Sequence, residues 1–264
     1  MKNGTVKIGD TEMYYVSFGR GRKNFVVLPG LSDGLATVKG KALLLSPPYK
    51  RFFGEFTVYI FSRKNNMPEG YTIRDMAADQ IKAMKNLSIE KASVMGVSQG
   101  GVIAQYMAAD FPENVEKLVL AVTVPYSNET VKNAVSGWIE MAKRGDHREL
   151  MADTAEKMYS QAYLEKNRKY FPLIAKLTKP ADYTRFYRNA YALLDFDIRD
   201  RLSEISCPAL IIAGDDDKTV GNDGAYELKN GISGSEMHIY NGLGHSAFEE
   251  AKDFYDRVYE FISR

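Results

Sequence analysis

One cysteine, Cys207, stands in 264 residues, so no disulfide can form within the chain, and a reducing compartment suits it. Histidine is nearly as scarce. Any chemistry that needs an imidazole must choose among His147, His238 and His245. No apolar run approaches the roughly 18 residues that a membrane-spanning helix requires. Neither sign of charge dominates: 35 basic residues face 34 acidic ones, for a formal net charge of +1. That balance argues against a nucleic-acid partner, which calls for a strong basic excess. The opening MKNGTVKIGD is polar and lacks the apolar centre of a secretory leader. Internal repeats, low-complexity tracts and long charge runs are also missing. The expectation is a soluble cytoplasmic protein. What remains is ordinary globular composition, 45% hydrophobic and 26% charged, in a chain long enough to bury a sizeable core.

Hydrophobic patterning divides the chain in three. TVKIGDTEMYYVSFG reads as two strands joined around Gly9-Asp10, a common hairpin pair. NFVVLPG and FTVYIF are continuous apolar runs, typical of strands buried on both faces. In YTIRDMAADQIKAMKNL, Ile73, Met76, Ala77, Ile81 and Met84 fall at helical spacing, with Thr72 as a candidate N-cap. KASVMGV predicts a strand, QGGVIAQYMAADF a helix ending before Pro112, and VEKLVLAVTV another strand. From Ser127 to Phe196 only helical patterns occur. Val131, Ala134, Val135, Trp138, Ile139 and Ala142 form one stripe, stopped by Gly145. RELMADTAEKMYSQAYLEK and ADYTRFYRNAYALLDF predict further helices. Strands return in PALIIAG and EMHIY, and FEEAKDFYDRVYEFI predicts a closing helix. The alternation implies an α/β fold, a mostly parallel sheet with helices on both faces. The expected division is a core of residues 1–126 and 197–264, interrupted by a helical insertion over 127–196.

Gly96-Val97-Ser98-Gln99-Gly100 has the form G-x-S-x-G between a strand and a helix. A sharp turn there lifts a hydroxyl away from the sheet at the cost of a strained backbone, and the flanking glycines relieve crowding. The helix that follows aims its N-terminus, and its free amides, at the same spot. A serine still needs a base. His147 lies in the charged stretch KRGDHREL and is expected at the surface. His238 lies within a strand, as a packed or edge residue. His245, in the loop NGLGHSAFEE after a strand, is the good candidate, because open parallel sheets gather functional groups at the carboxyl ends of their strands. A carboxylate should then orient the imidazole. Asp215, Asp216 and Asp217 follow PALIIAG together, with Glu129 as a weaker alternative. The acidic run lacks the alternating spacing and glycine of a calcium loop. GLATVKGKA lacks the glycine spacing of a phosphate loop and carries Ala42 where such loops need Ser or Thr, and GRGRKN lacks the third glycine of a dinucleotide fingerprint.

Serine, then aspartate, then histidine is the chain order of the α/β-hydrolase superfamily, which this sequence resembles over nearly all of its length outside the helical block. YTIRDMAADQIKAMKNLSIEKASVMGVSQGG looks like that family's helix, strand and nucleophile elbow. ISCPALIIAGDDD is similar to its acid-bearing strand, and the family's Gly-x-x-Asp pattern selects Asp217. NGLGHSAFEEAKDFYDRVYEFI resembles its Gly-His loop and closing helix. The resemblance makes residues 127–196 a cap over the site and the backbone amides of Leu31 and Gln99 the oxyanion donors. Two departures stand out. Leu28-Pro29-Gly30-Leu31 replaces the frequent His-Gly of the oxyanion loop, and Pro29 has no amide hydrogen to give. FSRKNNMPEGYT lacks the usual Asp-x-x-Gly-x-Gly-x-Ser. Serine at 98 sets aside the aspartate-nucleophile branches, haloalkane dehalogenases and epoxide hydrolases.

The function this implies is hydrolysis of a small to medium carboxylic ester, thioester or lactone through an acyl-enzyme. Ser98 is the expected nucleophile, His245 the base and Asp217 the orienting acid, with no metal and no organic cofactor. The expected partner is a small-molecule substrate with an apolar acyl or aromatic part. Ten aromatics in the cap segment, from Trp138 to Phe196, are expected to serve mainly in helix packing, with a minority lining an acyl pocket. The alternatives are carbon–carbon bond hydrolysis or a lyase reaction with the same residues, and a small-molecule receptor or regulatory protein on the same scaffold.

Overall fold

The computed structural model describes all 264 residues. Its strands are β1 (Lys2–Ile8), β2 (Thr11–Gly19), β3 (Lys23–Leu28), β4 (Phe56–Lys64), β5 (Ala92–Val97), β6 (Val115–Ala121), β7 (Ala209–Gly214) and β8 (Glu236–Tyr240). They form one sheet in the order β1-β2-β4-β3-β5-β6-β7-β8. Ile8 pairs with Thr11, so Gly9-Asp10 is a two-residue hairpin turn, and Gly9 takes the left-handed conformation (φ 61°) such turns demand. β2 runs antiparallel to both β1 and β4, whereas β4, β3, β5, β6, β7 and β8 are mutually parallel.

The helices are α1 (Ala42–Leu45), α2 (Ile73–Asn86), α3 (Gln99–Asp110), α4 (Glu129–Lys143), α5 (His147–Met158), α6 (Gln161–Asn167), α7 (Phe171–Thr178), α8 (Thr184–Ala192), α9 (Asp223–Gly231), α10 (Ala247–Glu250) and α11 (Phe254–Ser263). Both faces of the sheet are covered, as the continuous apolar strands require. Val26, Leu28 and Val94 point to the face packed by α2, α3 and α9. Their neighbours Phe25, Val27 and Met95 point to the opposite face, with Tyr49, Phe52 and the apolar side of α11. No helix is long and apolar enough to cross a membrane.

Local rules account for the helices the sequence marks most clearly. Thr72 caps α2 in a reciprocal box with Asp75, an arrangement worth about 1 kcal/mol. All of Ile73, Met76, Ala77, Ile81 and Met84 are buried. The α4 stripe is buried from Val131 to Ala142, and Gly145 follows it with φ 73°. Between β6 and β7, neighbours in the sheet, lie α4 to α8 and no strand.

Four expectations need correction. β6 stops at Ala121 instead of running to Val124, because Val122 takes φ 45° and turns the chain beneath Ser98. There Thr123 Oγ1 donates to the Ser98 carbonyl at 2.8 Å. The expected helix across RELMADTAEKMYSQAYLEK is two, α5 and α6, because Ser160 turns extended and caps the second with its side chain. The closing helix is also two. The chain extends at Ala251, which lets α10 face the α5–α6 corner while α11 lies on the sheet. Finally, His147 is not at the surface. As the first residue of α5 it is only 3% exposed, with Nε2 3.3 Å from Thr178 Oγ1 and its ring against Tyr183.

Candidate active site

β5 and α3 meet at Ser98, whose φ of 54° and ψ of −120° lie outside the ordinary basins of a side-chain-bearing residue. Such strain costs roughly 1–3 kcal/mol and persists only where the surroundings fix it. Here Ser98 N donates to the Ala121 carbonyl at 2.9 Å, which anchors the turn to β6. The glycines are explained by close approach. A Cβ on Gly96 would fall 2.2 Å from the Gly100 carbonyl oxygen, and one on Gly100 would fall 2.0 Å from that of Leu28. Strand, elbow and β3 loop therefore fit together only without side chains at both positions.

Ser98, Asp217 and His245 follow β5, β7 and β8, at the carboxyl ends of parallel strands. The structure brings the three together. His245 Nε2 lies 2.9 Å from Ser98 Oγ, and His245 Nδ1 lies 2.8 Å from Asp217 Oδ2. Both His245 and Asp217 are buried, and Ser98 is half-buried. The second carboxylate oxygen of Asp217 accepts the amides of Thr219 at 2.9 Å and Val220 at 3.0 Å, so the acid is fixed by its own loop. Its neighbours do other things. Asp215 accepts the Gly242 amide at 2.6 Å, and Asp216 is exposed and pairs with Lys218. Glu129 opens α4 with an 82% exposed side chain and pairs with Lys132. His238 sits on the edge strand β8 with its ring against Tyr240.

The loop after β3 reaches the same point. A Cβ on Gly30 would stand 3.7 Å from Ser98 Oγ. Leu31 opens the 3-10 turn Leu31–Gly34, and Gln99 opens α3. Both amides thus stand at helix N-termini, where the helix supplies no acceptor. In front of Ser98 is a narrow pocket of about 30 Å³. Its walls include Val102 and Val124 from the core and Val131, Val135, Trp138 and Phe196 from the helical segment, and none of its lining side chains is charged. Trp138 and Phe196 are the only aromatics of the helical segment on its wall. The others pack elsewhere, such as the stacked Tyr159–Tyr163 pair at 4.2 Å. No group of three or more His, Cys, Asp or Glu side chains converges as a metal ion would need.

Sequence reasoning missed a polar group beside this site: the buried Asp33, Arg63 and Asn189, with the half-buried Arg185. Burial pushes the Arg63 guanidinium down to about 10, against the opposing pull of Asp33. Burial pushes the Asp33 carboxyl up, but the charges of Arg185 and Arg63 outweigh it and hold the group below its ordinary value. The available signal was Arg63 itself, a charge at the end of the apolar run FTVYIFSR, next to the last residue of β4 and within the stretch FSRKNNMPEGYT that departs from the expected pattern.

The comparisons with known proteins agree with this fold. A family model described as alpha/beta hydrolase fold matches residues 55–252, and the chain belongs to that family of hydrolases. The AB hydrolase superfamily protein YisY of Bacillus subtilis is 31% identical over 194 residues, covering 70% of this chain and 71% of that protein. A 2-hydroxy-6-oxononadienedioate/2-hydroxy-6-oxononatrienedioate hydrolase of Pseudomonas putida is 26% identical, covering 96% of this chain and 93% of the other. Among solved structures, an alpha/beta hydrolase enzyme from a Medee basin deep-sea metagenome library superposes with a TM-score of 0.88 at 20% identity, over 99% of this chain and 98% of that one.

Proposed function

We propose that this protein is a serine hydrolase of small carboxylic esters, thioesters or lactones, with residues 127–196 as a cap that shapes the acyl pocket. The observation that carries this is the continuous file Asp217 Oδ2–His245 Nδ1, 2.8 Å, and His245 Nε2–Ser98 Oγ, 2.9 Å, ending at an uncharged pocket. With Nδ1–H donating to Asp217, Nε2 is left to accept the serine proton. Ser98 Oγ bonds to the carbonyl carbon while its proton passes to Nε2. The carbonyl π pair moves onto oxygen, where the Leu31 and Gln99 amides donate to it. As the tetrahedral centre collapses, the leaving alkoxide or thiolate takes the proton from His245 and acyl-Ser98 remains. Water, deprotonated by the same imidazole, then attacks the acyl carbon, and the carboxylic acid departs with Ser98 restored. In a lactone the leaving alkoxide stays tethered to the acyl group.

The Pseudomonas putida relative, by its name a hydrolase of a 2-hydroxy-6-oxo dienedioate, motivates a second reading for this chain, carbon–carbon bond hydrolysis by Ser98, His245 and Asp217. The pocket favours the first. A dienedioate carries two carboxylates, and no cationic side chain lines this pocket to receive one. The test is turnover of p-nitrophenyl acetate and butyrate by wild type and Ser98→Ala, with fluorophosphonate labelling mapped to its residue. The expected result is label at Ser98 and a loss of at least about 10³-fold in the variant. Equal rates would remove Ser98 from the mechanism.

A further inference from the structure

Helix α8 of the helical segment touches the elements that carry both oxyanion donors, through a closed ring of hydrogen bonds. Arg185 Nη2 donates to Asp33 Oδ2 at 2.6 Å, and its Nε to the Asp33 carbonyl at 2.9 Å. Asp33 lies two residues beyond Leu31 in the same 3-10 turn. The Asp33 carboxylate also accepts the Arg63 amide at 2.9 Å. Arg63 Nη2 donates to Gln99 Oε1 at 3.1 Å. Gln99 Nε2 then donates to the Asn189 carbonyl at 2.7 Å, back on α8. Asn189 Nδ2 closes the circuit on the Arg185 carbonyl at 2.9 Å, one helical turn away. Arg185 also holds the end of β4, donating to the carbonyls of Arg63 at 2.9 Å and Lys64 at 2.8 Å.

We propose that Arg185 is a positioning residue of the oxyanion hole: through the ring Arg185–Asp33–Arg63–Gln99–Asn189, helix α8 fixes the Leu31 amide relative to the Gln99 amide. The inference rests on the hydrolase reading above and deepens it. Geometry gives the reason. The two donors lie on separate loops, after β3 and after β5, and the long loop after β3 opens with Pro29 and Gly30 followed by the one 3-10 turn, Leu31–Gly34, that carries the Leu31 amide. An oxyanion hole works only if its donors are set before charge develops. A planar fork that spans Asp33, Arg63 and Lys64 supplies the stiffness, which a lysine ammonium on its flexible stem cannot. Arg185 itself is not among the residues that line the pocket.

The test measures amide hydrogen–deuterium exchange and p-nitrophenyl acetate turnover on wild type, Arg185→Met and Arg185→Lys. Arg185→Met is expected to raise exchange across residues 30–36 while residues 241–247 stay as in wild type. It is expected to lower kcat about 10- to 100-fold with KM changed less than about threefold. Arg185→Lys, which keeps the charge and loses the fork, is expected to fall between the two on both measures. It also serves as the deciding variant if Arg185→Met does not fold. Unchanged exchange in residues 30–36 overturns the proposal, as does raised exchange with kcat intact. A rise spread evenly over the chain also overturns it, since that marks general destabilisation. Ser98→Ala, run alongside, separates the two readings. If it retains wild-type turnover the hydrolase reading fails, and the exchange data still decide whether Arg185 holds the loop.

Discussion

Trp138 donates its indole Nε1–H to Asp153 Oδ2 at 2.8 Å, so a bond between α4 and α5 pins one wall of the pocket before Ser98. If the pocket takes the acyl group, as proposed above, a wall fixed in this way limits the length of chain that can enter. Val135, one turn earlier on the same helix, is fully packed and faces the same space. Val135→Ala, which removes two carbons from the wall, is expected to shift kcat/KM from acetyl toward butyryl and hexanoyl esters by at least about tenfold, since even one methylene in an apolar pocket is worth about that much. The same change should cost about 2 kcal/mol of stability. A chain-length series of p-nitrophenyl esters, with thermal melts, measures both.

The run Asp215-Asp216-Asp217 offers an internal control. Asp217→Asn keeps a side chain able to accept from Thr219 and Val220 but no longer stabilises a charged imidazole. It should lose roughly 10³–10⁴-fold in kcat with little change in melting temperature. Asp216→Asn, at an exposed ion pair with Lys218, should match wild type on both. Equal losses in the two variants would remove Asp217 from its assigned place.

Gly100 permits the closest backbone approach around the elbow. An added methyl at 2.0 Å from the Leu28 carbonyl and 2.7 Å from that of Pro29 meets main chain on both counts, so no side-chain rotation can relieve it. Gly100→Ala is expected to destabilise by more than about 3 kcal/mol or to abolish soluble expression. Gly137→Ala, with open space around the added carbon, is expected to be neutral or slightly stabilising. Urea unfolding of the two variants makes the comparison.

His147 gives the fold a pH dependence of its own. Burial, aided by the charge of Lys179, holds its pKa below the ordinary 6.5. The folded protein therefore resists a proton that the unfolded chain accepts at 6.5. The stability tied to neutral His147 is intact above that value and is lost as pH falls through the lowered folded value. Melting temperatures from pH 8 to pH 5 should fall more steeply for wild type than for His147→Gln. Parallel curves would show that His147 contributes nothing to the acid limb.

Local pattern made much of this molecule legible. The period-2 and continuous apolar runs marked the strands, the 3.6-residue stripes marked α2 and α4 with their buried faces, and Gly-x-Ser-x-Gly marked the elbow. Each depends on neighbours within a few residues, where chain geometry links spacing directly to a face. Where a boundary depended on distant contacts the pattern overran. β6 ends early because Thr123 is drawn under Ser98, and the last helix breaks where α10 turns to meet Ser160. His147 looked exposed because its sequence neighbours are charged, yet they point outward while its ring points between α5, α7 and Tyr183.

The sequence by itself determined the α/β alternation, the strained serine between glycines and the short roster of imidazoles and carboxylates that could serve it. Only the tertiary structure decided how Asp217 meets His245, which aromatics wall the pocket, and that Arg185 reaches Asp33 across 152 positions of chain. The physical reason is the range of the interactions. Turns and stripes are settled by the backbone over a few residues, whereas a buried ion pair or a pocket wall exists only after separate elements have packed and excluded water between them.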